Sequence, residues 1–74
     1  MITVQLIENR NGKPVKGLNV YISKAGWTGG VRDAYTNADG EAPIDFDLPC
    51  NGKIVVDGKK VYEGDMKAYM KFYI

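Results

Sequence analysis

The chain is predicted to be all-β, a small antiparallel β-sandwich of about seven strands that occupies residues 1–74 as a single domain. Three observations predict it. Apolar and polar residues alternate with period two through most of the sequence, and no window of helical spacing competes. Clusters containing glycine, proline or asparagine break that alternation at short intervals. At 74 residues the chain is long enough for one core and no more.

The first strand, residues 2–8, turns Ile2, Val4 and Leu6 to one side. Asn9-Arg10-Asn11-Gly12-Lys13-Pro14 then breaks it with a dense turn signal. A second strand over 17–24 buries Leu18, Val20 and Ile22 and exposes Asn19, Tyr21 and Ser23. Ala25 to Gly30 reads as a loop holding one large aromatic, Trp27. Val31 to Thr36 resumes extended structure, and Asn37-Ala38-Asp39-Gly40 reads as a hairpin turn.

Beyond that turn, residues 41–48 alternate, with Ala42, Ile44, Phe46 and Leu48 inward and Pro43, Asp45 and Asp47 outward. Pro43 has no amide proton, so this strand belongs at a sheet edge or presents that position to solvent. If Thr36 pairs with Glu41 across the turn, Asp33 falls on the core face between Val31 and Tyr35. An unpaired buried carboxylate costs several kcal/mol. Asp33 is therefore expected at the rim, or in a register shifted by one that turns Ala34 inward.

Pro49-Cys50-Asn51-Gly52 turns again, and residues 53–56 and 60–63 form a hairpin around Asp57-Gly58. Its register stays open. A two-residue loop pairs Ile54 with Val61, whereas a three-residue loop with a bulge pairs Ile54 with Tyr62 and turns that ring inward. The last strand, 66–74, directs Met66, Ala68, Met70, Phe72 and Ile74 one way and Lys67, Tyr69, Lys71 and Tyr73 the other.

Composition excludes several chemistries. Ten basic and nine acidic residues leave a net charge of +1, so no global field steers the protein to nucleic acid or an anionic membrane. Histidine is absent, which removes the commonest general base and the commonest zinc and iron ligand. The single cysteine, Cys50, allows no internal disulfide and no multi-cysteine metal site. With no histidine to activate it, Cys50 reads as a small half-buried thiol. No apolar run approaches the length needed for a spanning helix. Met1 to Glu8 lacks the basic flank and apolar stretch of a secretory signal, so the chain reads as cytosolic or already trimmed.

Three segments, in order, resemble a known family. Gly12-Lys13-Pro14-Val15-Lys16-Gly17-Leu18-Asn19-Val20 resembles the G-x-P-V-x-G-x-x-V opening of carboxypeptidase-regulatory-like (transthyretin-like, prealbumin-type) domains. Thr36-Asn37-Ala38-Asp39-Gly40-Glu41 is similar to that family's T-x-x-D-G turn. The stretch Leu48-Pro49-Cys50-Asn51-Gly52-Lys53-Ile54-Val55-Val56 resembles its L-P-x-G-x-Y-x-L-x-V segment, although two residues separate Pro49 from Gly52 and Ile54 stands where an aromatic is common. The resemblance implies a prealbumin- or Ig-like sandwich that serves as an accessory or binding module. The iron-dependent dioxygenases that share such a fold require histidine ligands, which this chain lacks. The Lys–Asn isopeptide crosslink of related adhesin domains also has no counterpart, since the first strand has no lysine and the last no asparagine.

Two constellations remain. Asn37, Asp39, Glu41, Asp45 and Asp47 suggest a calcium loop, but the acidic residue that closes an EF-hand is missing, and the group reads as a turn beside a solvated strand face. Lys67, Tyr69, Lys71 and Tyr73 share one face of one strand, with successive rings roughly 7 Å apart. Tyrosine supplies stiff amphipathic contact area and lysine supplies charge at the rim. Such a face is either a β-favouring solvent surface or a contact surface. Trp27 is either a lid over one end of the sandwich or an exposed contact anchor.

The expectation is a non-enzymatic interaction module without cofactor or metal, binding through Trp27, Lys67, Tyr69, Lys71 and Tyr73. A protein partner or self-association is expected first, carbohydrate is a weaker option, and nucleic acid and membrane insertion are disfavoured. The alternative is a structural or assembly subunit of a viral or cell-surface complex whose last strand pairs with another chain.

Overall fold

The computed structural model describes residues 1–25 and 30–74. Its seven strands are β1 (Ile2–Ile7), β2 (Asn19–Lys24), β3 (Val31–Tyr35), β4 (Glu41–Ile44), β5 (Asn51–Val56), β6 (Lys59–Asp65) and β7 (Tyr69–Tyr73). They form a small β-sandwich. One sheet has the order β4-β1-β7 and the other the order β3-β2-β5-β6. The core lies between them. Ile2, Val4 and Leu6 from β1 and Ala42 and Ile44 from β4 meet Val20 and Ile22 from β2 and Ile54 and Val56 from β5. At one side Tyr62 of β6 and Phe72 of β7 close the gap, with ring centroids 5.8 Å apart.

One strand pair departs from the antiparallel expectation. β1 and β7 run parallel, with Thr3 opposite Tyr69 and Ile7 opposite Tyr73. Parallel neighbours need a long crossover, and here the other five strands provide it. The ladder reaches the last residue: Ile74 N–H donates to the Ile7 carbonyl, and Asn9 N–H donates to the Ile74 carbonyl.

The turn at Asn37–Gly40 does not make a hairpin. β3 pairs with β2, while β4 pairs with β1 in the opposite sheet. The chain changes layer at Thr36, which is buried and whose Oγ1 accepts from Leu18 N–H at 3.0 Å. Ala34 consequently faces inward, whereas Val31, Asp33 and Tyr35 are exposed. This is the shifted alternative, with Ala34 inward, and it carries Val31 and Tyr35 to the surface. A β3–β4 hairpin would have buried the Asp33 carboxylate; the observed pairing leaves it in solvent, accepting from Asn19 Nδ2 at 2.8 Å.

A second layer change shortens the last strand. Met66 N–H donates to the Cys50 carbonyl in one sheet, and the Ala68 carbonyl accepts from Thr3 N–H in the other. Met66 and Met70 are buried, but Ala68 is exposed at the crossing and Ile74 is exposed at the ladder's end. Leu48 is likewise exposed, because β4 ends at Ile44 and Phe46 is the last residue of that run to reach the core. Cys50 is buried rather than half-buried.

Around Asp57-Gly58 the loop has two residues, both with positive φ, at 50° and 83°. That is the backbone of a type I′ turn, which suits the right-handed twist of the flanking strands. A bulge then intervenes, because Val55 pairs with Lys60 but Ile54 pairs with Tyr62. Val61 is the extra residue, and Tyr62 turns inward. The short loop and the inward tyrosine coexist because the bulge sits inside β6 rather than at its turn.

Candidate interaction surface

Tyr69, Lys71 and Tyr73 lie on the outward face of β7, an edge strand. Tyr69 and Tyr73 are 48% and 62% exposed, which makes this one of two strands among the described residues with a pair of large exposed apolar or aromatic side chains. Lys67 precedes the strand at the layer crossing, so it shares the exposure of the other three without sharing their ladder. Trp27 falls outside the described residues.

Tyr69 is held in place. Its hydroxyl is 2.7 Å from Glu41 Oε2 and 2.9 Å from Gln5 Oε1. Gln5 is in turn fixed by its Nε2, which donates to the Asp39 carbonyl at 3.0 Å. The Glu41 carboxylate, as acceptor, favours the protonated phenol and pushes the Tyr69 pKa above the ordinary tyrosine value. The ring therefore lies across the outer face of its sheet, pre-ordered for contact. Less side-chain freedom is lost when such a ring is covered.

A second exposed set, not singled out as a contact surface from the sequence, is Val31, Asp33 and Tyr35 on β3, with Val31 53% and Tyr35 67% exposed. The signal was present in the charge of Asp33, since a strand face with an aspartate at its centre belongs in solvent. β3 is also an edge strand.

The acidic residues do not assemble a cation site. Asn37 Oδ1 accepts from Asp39 N–H at 2.9 Å and from Glu41 N–H at 3.1 Å, so that oxygen serves the turn itself. Among the described residues no group of three or more Cys, Asp or Glu side chains is placed to hold a metal. A shallow depression of about 260 Å³ has Lys24, Arg32, Asp45 and Asp47 in its lining. Its opposite charges balance, leaving no net field to select an ion.

No protein-family model matches the chain, and neither a curated protein nor a solved structure does. The fold and the surface alone define its class: a small β-sandwich with two exposed, regular edge strands among the described residues.

Proposed function

We propose that the protein is a non-catalytic interaction module that binds a protein or peptide partner along β7. The observation that carries this reading is the exposed pair Tyr69, fixed by its bond to Glu41, and Tyr73, with Lys71 between them on an edge strand that no described strand covers. Rigid tyrosines give contact area at low entropic cost, and the lysine orients a partner. In a parallel ladder alternate residues bond inward. The bonds of Ala68 and Ile74 to β1 show that the even-numbered residues do so here. The N–H and C=O groups of Tyr69, Lys71 and Tyr73 therefore point away from the sheet, ready to receive an added strand. The resemblance of three turn segments to carboxypeptidase-regulatory-like domains supports the same reading, because such domains serve as accessory modules.

Panning random linear peptides displayed on phage tests it. The native chain should enrich peptides whose binding disappears in the Tyr69→Ser/Tyr73→Ser variant, with amide shifts confined to β7 and the neighbouring β1. Equal binding by native and variant chains, or no enrichment at all, refutes the reading.

A further inference from the structure

We infer that β7 of one copy of this chain pairs with β3 of another, so that the protein associates head to tail through its two regular edges. The inference rests on β7 being a contact edge and names its occupant.

Among the described residues four strands lie at sheet edges, and two of them are blunted. β4 is four residues long and places Pro43 at an outward backbone position, where no amide proton is available. β6 carries the bulge at Ile54/Val55 of its partner, which twists the edge and interrupts its register. β3 and β7 have neither device. Each has five residues in unbroken register with its neighbour.

Backbone and side-chain phases also agree. On β3, Lys24 N–H donates to the Gly30 carbonyl and Thr36 N–H donates to the Leu18 carbonyl, so the even-numbered residues bond toward β2. Val31, Asp33 and Tyr35 therefore direct their amides and carbonyls outward, and their side chains are solvent-exposed. Tyr69, Lys71 and Tyr73 do the same on β7. Among the described residues no strand lies on either outer edge.

Charge selects the partner. In centred antiparallel pairing of β3 with β7, Lys71 falls opposite Asp33 of the other copy, because only antiparallel strands set two outward-bonding residues directly opposite one another. Val31 then falls opposite Tyr73 and Tyr35 opposite Tyr69. Cross-strand pairs of opposite charge and of aromatic with β-branched residues are the favourable kinds. Symmetric alternatives fail on the same residues. β7 against β7 sets Lys71 against Lys71, and β3 against β3 sets Asp33 against Asp33. Slipping by two residues escapes the clash but gives up much of a five-residue strand. Because the two edges differ, the contact is heterologous and does not close at a dimer.

Sedimentation velocity on the full chain over rising concentration provides the test, with circular dichroism confirming that each variant stays folded. The weight-average mass of the native chain should climb past that of a dimer. Asp33→Lys and Lys71→Glu, each alone, should move association to a concentration at least about tenfold higher, since each sets like charges opposite one another. An equimolar mixture of the two should regain native behaviour, because both junctions in an alternating chain then pair lysine with a carboxylate. A native chain that stays monomeric, a mass that levels at the dimer, or a mixture no more associated than its components overturns the proposal. A monomeric chain that still binds selected peptides through β7 removes self-pairing alone. Loss of both removes the interaction reading as well.

Discussion

The Tyr69 hydroxyl donates to Glu41 Oε2 at 2.7 Å, and so joins β7 at one edge of the three-stranded sheet to β4 at the other. The two strands never pair. They lie two strand spacings apart, roughly 10 Å, and the phenol and carboxylate bridge that distance over Gln5 of β1.

That bond gives Tyr69 a distinct titration. Its pKa is raised, first by the hydrogen bond to Glu41 and then by burial and by the nearby Glu41 and Asp39 charges. The folded chain therefore holds this proton more tightly than the unfolded chain. The resulting stabilisation is complete below the ordinary tyrosine pKa and is lost as pH rises through the raised value. Glu41→Gln should lower the ionisation pH of Tyr69, read by tyrosinate absorbance against a Tyr69→Phe control, and should flatten the alkaline decline in stability. An unchanged Tyr69 titration would show that Glu41 is not its acceptor in solution.

The exposed and half-buried tyrosines should part in a stability assay. Tyr69→Ser/Tyr73→Ser is expected to cost about 1 kcal/mol or less, as surface changes do. Tyr62→Ala should cost more, about 2 kcal/mol, since it removes the packing on Phe72 and the hydroxyl's 2.7 Å bond to the Asp65 carbonyl. Ile54→Ala, at a fully buried site, should cost about 2–5 kcal/mol. Urea unfolding of the three proteins checks the order.

Glycine substitutions separate backbone strain from lack of space. Gly12 and Gly40 both have φ near +70°, at 70° and 74°. An added Cβ at Gly12 meets nothing within 4 Å, whereas at Gly40 it would sit 2.6 Å from the Leu6 carbonyl oxygen and 2.9 Å from Pro14 Cβ. Gly12→Ala should cost about 1 kcal/mol from the dihedral alone, and Gly40→Ala markedly more. Gly52→Ala, at ordinary φ, should also be severe because its Cβ would overlap the Ser23 carbonyl. Thermal melts that rank Gly12→Ala with the other two would contradict this.

Cys50, the last residue of the connection between β4 and β5, is buried. Its reaction with a disulfide reagent should be slow in the native chain and immediate in denaturant, at a native rate set by opening of that segment. Prompt native labelling would place the thiol at the surface.

Particular residues mark how far local pattern reaches. The inward sets Ile2/Val4/Leu6, Val20/Ile22 and Ala42/Ile44/Phe46, and the outward set Tyr69/Lys71/Tyr73, were all legible from alternation. So was the edge position of the strand bearing Pro43. Leu48, Ala68 and Ile74 were not, and the side taken by Val31 and Tyr35 stayed open, because alternation records which side a residue faces relative to its neighbours and not which sheet it joins.

Sequence by itself determined the pleat, the turns and the sorting of side chains into two sets, because these follow from local dihedral preference and a two-residue period. Tertiary structure decided where the chain changes layer, at Thr36–Gly40 and at Met66–Ala68, and hence that the first and last strands run side by side. Those choices depend on which pairing keeps Asp33 in water and seals Ile2 and Val4 against the facing sheet, an energy shared among residues far apart in the chain and carried by no local segment.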